Sequence, residues 1–397
     1  MRIVIISDWF SENMGYAENC LPKAMAALGH EVHVITSDAQ VYFGSALYKE
    51  TYEAFLGPEV VACGSKELDG YTLHRLPHAR WRGRLRIKGL QKKLRELRPQ
   101  IVQTFDATAL TTYEAVLSKF VMHFKLFTGN HVVASVFPPA RGVALSGQQR
   151  RRWLLEVTFP GRLTSLFTEK CYAATDDAAD IAVRFFGVEA GKVEVDSLGV
   201  DTDLFSPAVD PDAQVARAGL RQQLGFAQTE IVCIYTGRFS NAKNPLCLAR
   251  AVEGLRAQGE PFRGLFIGGG EQEAVIRGCS GCIVRPFIPV HSLAKFYQAA
   301  DIAVWPMQES TSMLDAAACG LPIVVSNRVI AVERVQGNGI TYDEGSVADL
   351  IRVLLTLRVP DFRDRLGKAG ATKMAQQYSW LAIARHKLQD YEAALGK

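Results

Sequence analysis

The chain has 397 residues, 48% of them hydrophobic and 22% charged, with a mean hydropathy of +0.04. That composition supports a packed core and excludes a disordered chain, and a length near 400 predicts two domains or one large α/β domain at roughly 150 residues each. Lys and Arg number 45 against 41 Asp and Glu, a net charge of +4, which excludes a protein whose whole surface clamps nucleic acid.

The eight cysteines are scattered and mostly lie inside apolar runs, which reads as buried thiols in a reducing, cytoplasmic setting. Cys279 and Cys282 form a C-x-x-C with no second pair and no His at ligand spacing, so they read as two incidental thiols and no metal is expected. The opening apolar run is too short for a secretion signal, and no uncharged apolar stretch reaches the ~18 residues of a spanning helix.

The β-branched run at 2–7 (RIVIIS) predicts a parallel strand covered on both faces. A loop through Gly15 follows, then a helix over 18–28 ending at Gly29, then the strand EVHVITS: one β-α-β unit. Apolar runs at 101–105, 131–137, 171–174 and 193–195 continue the alternation of strands and helices. The turn-rich stretch after Leu198, with its two prolines, marks a crossing between domains.

The pattern then restarts with strands at 230–239, 264–270, 282–287, 301–306 and 321–326, helices near 244–257 and 311–319, and two or three helices from 346 onward. The expected class is therefore α/β, with two Rossmann-like, doubly wound parallel sheets facing each other across a cleft. Ligands of such sheets lie in the loops after the strands.

Three of those loops carry candidate chemistry. After the strand at 230–239, Gly237 permits a close turn, Arg238 offers a forked donor and Lys243 a compact cation at a helix start, a pairing suited to a diphosphate or simply to a solvated loop. Gly268, Gly269 and Gly270 follow a strand and open a helix, which suits phosphate cradling or only a tight turn. Glu309, Ser310, Thr311 and Asp315 stand at and one turn into a small-residue helix, as hydroxyl-binding groups or as a cap with a solvated acid. Gly15 stands alone, so the G-x-G-x-x-G of nicotinamide-dinucleotide sites is missing.

The co-linear set GVDTDLFSP, TGRFSNAK, FIGGGEQ, RPFIP, AADIAVWP, LDAAACGLPIVVS, NGITYDEG and Tyr378-Ser379-Trp380 resembles retaining GT-B glycosyltransferases, specifically family 4. The likeness spans the second half and is looser in the first, where the Gly15-Ala17-Glu18 loop and LGHEVHVIT carry it. It implies an acceptor-side domain over 1–198, a nucleotide-sugar donor domain over 199–378, and a final helix at about 379–397 packing back on the first domain.

The resemblance gives Arg238 and Lys243 the donor diphosphate and Asp315 the ribose hydroxyls. It places the backbone at Ser312, Met313 and Leu314 near the phosphates. Gly237 and Gly269 fall in the donor loops, Arg285 and Phe287 in the loop that cups the base, and Gly15 in the first-domain loop that closes on phosphates and acceptor. The family pair is usually Glu, seven residues, Glu; here Glu309 lies six before Asp315, read as a shortened loop in which Glu309 reaches the donor sugar. Where a first-domain His commonly stands, the sequence has Phe137-Pro138-Pro139. Asp106 is either an acceptor-side acid or base or a helix cap.

The function implied is hexosyl transfer with retention, from a nucleoside diphosphate sugar to a glycan, lipid-linked or small-molecule acceptor, in polysaccharide or glycoconjugate biosynthesis, without cofactor or metal and without nucleic acid. The alternatives are a non-catalytic GT-B binding protein and a GT-B sugar-nucleotide epimerase. From Arg80 to Arg98 nine Lys/Arg stand against one Glu. Arg80, Trp81, Arg82, Arg84, Arg86 and Lys88, interleaved with Leu85 and Ile87, suit either an anionic membrane surface, placing the protein at the inner face of a membrane, or a solvated helix beside a loop.

Overall fold

The computed structural model describes residues 1–12, 14–46, 48–329 and 331–396. The chain divides into two compact units, one of Met1–Tyr48, Leu56–Leu198 and Trp380–Lys397, the other of Lys49–Phe55 and Gly199–Ser379.

The first unit holds strands β1 (Arg2–Ser7), β2 (Glu31–Ser37), β3 (Gly64–Leu68), β4 (Tyr71–Leu76), β5 (His78–Trp81), β6 (Arg84–Ile87), β7 (Ile101–Thr104), β8 (Lys125–Asn130), β9 (Cys171–Ala173) and β10 (Val193–Val195). Eight form one sheet in the order β10-β9-β8-β7-β1-β2-β4-β3. Ile3, Val4, Ile5 and Ile6 are all buried, as a central strand with helices on both faces requires.

The sheet is not wholly parallel, because β3 pairs antiparallel with β4. The two-residue turn Asp69-Gly70 has φ of +44° and +85°, the mirror-type hairpin that only a pair tolerant of positive φ adopts. Arg82-Gly83, at +49° and +80°, makes the same turn between β5 and β6, so the basic stretch opens as a hairpin before the helix Leu90–Leu97.

A second difference lies at 131–137, where the apolar run is coil and a short 3-10 turn, Ala134–Val136, while the strand is the preceding Lys125–Asn130. Buried Asn130 turns the chain off the sheet: its side chain accepts from Val132 N–H at 3.1 Å and donates to Ala178 O at 2.8 Å. The backbone bonds of the sheet are thereby replaced by side-chain ones.

The terminal helix Trp380–Leu395 packs on Ala17–Ala27 and buries Trp380, Ile383, Leu388 and Tyr391 against Leu21 and Met25. Each such side chain contributes about 1.5–3 kcal/mol. Buried Lys387 meets Asp196 at 2.5 Å.

The second unit is a six-stranded, all-parallel sheet of β11 (Ile231–Arg238), β12 (Phe262–Gly269), β13 (Cys282–Arg285), β14 (Ile302–Trp305), β15 (Ile323–Ser326) and β16 (Gly339–Tyr342), in the order β13-β12-β11-β14-β15-β16. The order reverses between β11 and β14, so the connections after these two strands depart in opposite directions and leave a crevice at their carboxyl ends. Val347–Thr356 and Pro360–Gln377 are helical, completing the three-helix tail with Trp380–Leu395.

Candidate functional site

The loops after β11 and β14 bring the predicted donor residues together at that crevice. Arg238 ends β11 in an exposed position, and Lys243 sits half-buried just before the helix Pro245–Ala257. The turn between them is set by Ser240 O, which accepts from the N–H groups of Lys243 (3.0 Å) and Asn244 (2.8 Å). Asn244 at φ +47° and Pro245 then start the helix. Burial pushes the Lys243 ammonium below the usual lysine range, the Arg238 charge pushes the same way, and Glu309 opposes both. Two cations are thus held within electrostatic reach of each other with one carboxylate from the β14 loop beside them.

The glycine loop is locked to this turn. Gly237 and Gly268 are paired in register, both at positive φ (+138° and +148°), and a Cβ on Gly268 would stand 1.9 Å from Gly237 O. Only glycine permits that approach. Asn241 N–H donates to Glu271 at 2.6 Å, and buried Gln272 bonds Asn241 Oδ1 and Leu246 N–H. Gln272 was not singled out in the sequence, although a Gln directly after GGGE is the one amide able to bridge the two loops.

Asp315 lies on the helix Ser312–Ala318, where desolvation, and next the Asp201 charge, push its carboxyl up to about 8. Tyr297, also missed in the sequence, is fully buried beside it and bonds Thr236 Oγ1 at 2.7 Å. Ser312, Met313 and Leu314 open that helix. Met313 N–H already bonds Ser310 O (3.1 Å) and Leu314 N–H bonds Thr311 O (2.9 Å), while both side chains are buried in the core. Ser312 N–H makes a long contact of 3.4 Å to Ser310 Oγ.

Arg285 ends β13, exposed, and the Phe287 ring lies 3.9 Å from where a Gly269 Cβ would stand. The rings of Tyr52 and Phe55, from the short segment that belongs to the second unit, flank Phe287 at 5.9 and 6.1 Å.

In the first unit, Gly15 lies in the loop before the helix Ala17–Ala27. Asp106 accepts from Thr108 N–H and Thr108 Oγ1, both at 2.7 Å, a local turn within the loop, while the helix that follows runs Leu110–Lys119 and has Ala109 at its cap position. Asp8, following β1, accepts from Thr111 at 2.7 Å, and burial pushes its carboxyl up to about 6 with Asp106 adding to the rise. An acid directly after the first strand was the signal for it.

In the basic stretch Trp81 is at the surface, whereas Leu85 and Ile87 are not. Leu85 and Ile87 are 6% and 1% exposed in the core, Arg84 donates to Thr108 O, Arg86 pairs with Glu114, and Arg80 lies over the Phe43 ring. Lys88 is exposed, and Trp81, 53% exposed, stacks under Arg82. Among the described residues, the cluster with metal-ligand spacing, Glu194, His386 and Asp390, has Lys170 Nζ bonded to both carboxylates. Also among them, no helix is long and apolar enough to cross a membrane.

Two Rossmann-like α/β units, the second with a cationic loop at its switch point, define the GT-B class. The model for Glycosyltransferase Family 4 matches residues 21–204 and that for Glycosyl transferases group 1 matches residues 230–358. The chain thus carries glycosyltransferase domains that these two family models match.

It is 30% identical over 240 residues to the D-inositol 3-phosphate glycosyltransferase of Xylanimonas cellulosilytica, covering 56% of each chain. It is 27% identical over 251 residues to the one from Streptosporangium roseum, covering 57% of this chain and 55% of that one. The matches thus span little more than half the length of these relatives. The fold is similar to the sucrose-phosphate synthase from Thermosynechococcus elongatus (TM-score 0.68, 18% identity, 100% of this chain and 99% of that one). It is also similar to Anabaena HepE in complex with UDP-glucose (TM-score 0.68, 17% identity, 100% of both chains).

Proposed function

We propose that the protein transfers a hexosyl group from a nucleoside diphosphate sugar to an acceptor hydroxyl with retention of anomeric configuration. The observation that carries this reading is the Arg238–Lys243 pair held at the β11/β14 switch point. Negative charge develops on the departing diphosphate as the glycosidic bond breaks, and fixed cations lower that barrier without reorganising. Glu309, beside Lys243, accepts from hydroxyls of the donor sugar, and Asp315 meets the ribose. The acceptor attacks the face the diphosphate leaves, and the diphosphate takes the acceptor proton, so no protein nucleophile and no metal enters.

HepE was solved with UDP-glucose, which makes that donor the first to test, and the relatives named for D-inositol 3-phosphate make a phosphorylated polyol the first small acceptor. Glycan and lipid-linked acceptors, in polysaccharide or glycoconjugate biosynthesis, come next. The assay is nucleoside diphosphate release from a panel of donors, with the product anomer read by NMR. Lys243→Ala should lower turnover about 100-fold or more while the fold persists. An inverted product, or undiminished turnover in Lys243→Ala, overturns the reading. Conversion of the donor into an epimeric sugar nucleotide without acceptor marks an epimerase instead.

A further inference from the structure

The helical run Gly147–Leu166 of the first unit turns Trp153 and Val157 toward the core, but its end is packed the other way round. Its last segment, Phe159–Leu166, buries Gly161, Thr164 and Ser165. A Cβ at Gly161 would stand 1.9 Å from Phe186 O, so this small, polar face is the one pressed against the protein. Other large apolar side chains point outward: Leu155 is 63% exposed, Phe159 59% and Leu166 67%. With Leu163, also exposed, they recur at intervals of three or four, a single stripe along one helix face.

The stripe continues onto the end of the helix Leu110–Lys119. Lys119 Nζ bonds Phe167 O at 2.6 Å and the Phe120 ring meets Phe167 at 5.4 Å. Phe120 (67%) and Val121 (69%) stand exposed beside that contact. Contiguous exposed apolar surface of this kind marks an interaction site.

The charge beside the stripe says what it fits. Residues 147–167 carry four arginines, Arg150, Arg151, Arg152 and Arg162, all exposed, against one acid, Glu156, which is paired with Arg152 at 3.0 Å. Phe and Leu on one face with arginines along the border is the composition of a helix lying in the headgroup plane of an anionic bilayer: the rings and leucines enter the acyl boundary and the guanidinium groups stay at the phosphates.

We propose that this ridge, and not the Arg80–Lys88 hairpin, is the surface by which the protein docks on an anionic lipid bilayer. It is built from first-unit residues alone, so its test is read independently of donor turnover. The full-length chain is sedimented with vesicles of phosphatidylcholine and phosphatidylglycerol at 3:1 and with pure phosphatidylcholine, at low and at high salt.

The expected result is binding to the anionic vesicles that weakens with salt and falls at least tenfold in Leu155→Glu/Phe159→Glu, with an unchanged melting temperature. Arg150→Ala/Arg151→Ala should weaken the anionic arm only, and Trp81→Ala/Arg82→Ala should bind as the unaltered protein does. Equal binding by Leu155→Glu/Phe159→Glu, loss of binding in the hairpin variant, or no binding by the unaltered protein overturns the proposal. So does a dimer in buffer, seen by sedimentation velocity, that Phe159→Glu disperses while vesicles are ignored.

Discussion

Gln272 Nε2 donates to Asn241 Oδ1 at 2.9 Å while Gln272 Oε1 accepts from Leu246 N–H at 3.1 Å, so one buried amide ties the glycine loop after β12 to the cationic loop after β11. Lys243 lies between Asn241 and Leu246 in the chain, and its position depends on that tie. Gln272→Leu keeps the volume and leaves Leu246 N–H and Asn241 without this partner, a loss of about 1–3 kcal/mol. Urea unfolding should show that drop together with a raised KM for the donor. An unchanged KM would mean that the loop holds its shape without the amide.

The close approach of Gly268 to Gly237 O makes a sharper test. At Gly268→Ala the new methyl meets a carbonyl at 1.9 Å and the backbone is held at φ +148°, so β11 and β12 cannot both stay in place. Gly278→Ala, at a helix end with open space around its Cβ, is the control and should be neutral or stabilising by up to about 1 kcal/mol. Gly268→Ala should either fail to accumulate as folded protein or melt well below the control. Equal melting temperatures would refute the steric argument.

For Asp315 the sign of the pH dependence follows from its direction. Its carboxyl is raised from the ordinary value of 3.8 to about 8 by burial, so between those values the folded protein binds the proton that the unfolded chain has released. Stability then falls as pH rises through this window and levels off above about 8. Asp315→Asn removes the term, so the variant should gain on the unaltered protein as pH goes from 5 to 9 in a melting series. A parallel pair of curves would place the titration elsewhere.

Much of this architecture is legible in the sequence because parallel strands buried on both faces must be continuous apolar runs: RIVIIS and IVCIYTGR have few other readings. The hairpins are equally written, in Asp69-Gly70 and Arg82-Gly83, the second within the Arg80–Arg98 stretch whose nine cations draw the reading toward surface charge. The run at 131–137 misled for the opposite reason. Its apolar character suits a strand, and what ends the sheet one residue earlier is the pair of bonds made by Asn130, which no periodicity records. In the site, residue types that carry charge were visible, whereas Gln272 and Tyr297 act by holding other groups and acquire meaning only when their partners are in place.

The ion pair of Asp196 with Lys387 anchors the terminal helix. Both side chains are buried, Nζ to Oδ2 is 2.5 Å, and Lys387 also lies 3.3 Å from the centre of the Tyr172 ring. Asp196→Ala strands a buried ammonium and should cost about 3–5 kcal/mol, whereas Asp196→Leu with Lys387→Met replaces both charges by apolar groups and should recover most of it. Urea midpoints of the three proteins decide this. A double variant no better than the single one would show that the pair stabilises by its own attraction and not merely by mutual neutralisation.

Lys243 gives the prediction closest to the chemistry. Burial and the neighbouring Arg238 hold its ammonium below the ordinary lysine range, and an arriving diphosphate supplies the negative charge that reverses both effects. Binding is therefore strongest while Lys243 is charged and weakens as pH rises through its depressed value. Titration calorimetry with UDP from pH 7 to 10 should show affinity declining before an ordinary lysine, near 10.4, would lose its proton, with proton uptake on binding over the same interval. Lys243→Arg keeps a charge throughout the range and should abolish both the decline and the uptake even where its affinity is lower. A decline that persists unchanged in Lys243→Arg would assign the titrating group to another residue and remove the electrostatic basis proposed for diphosphate departure.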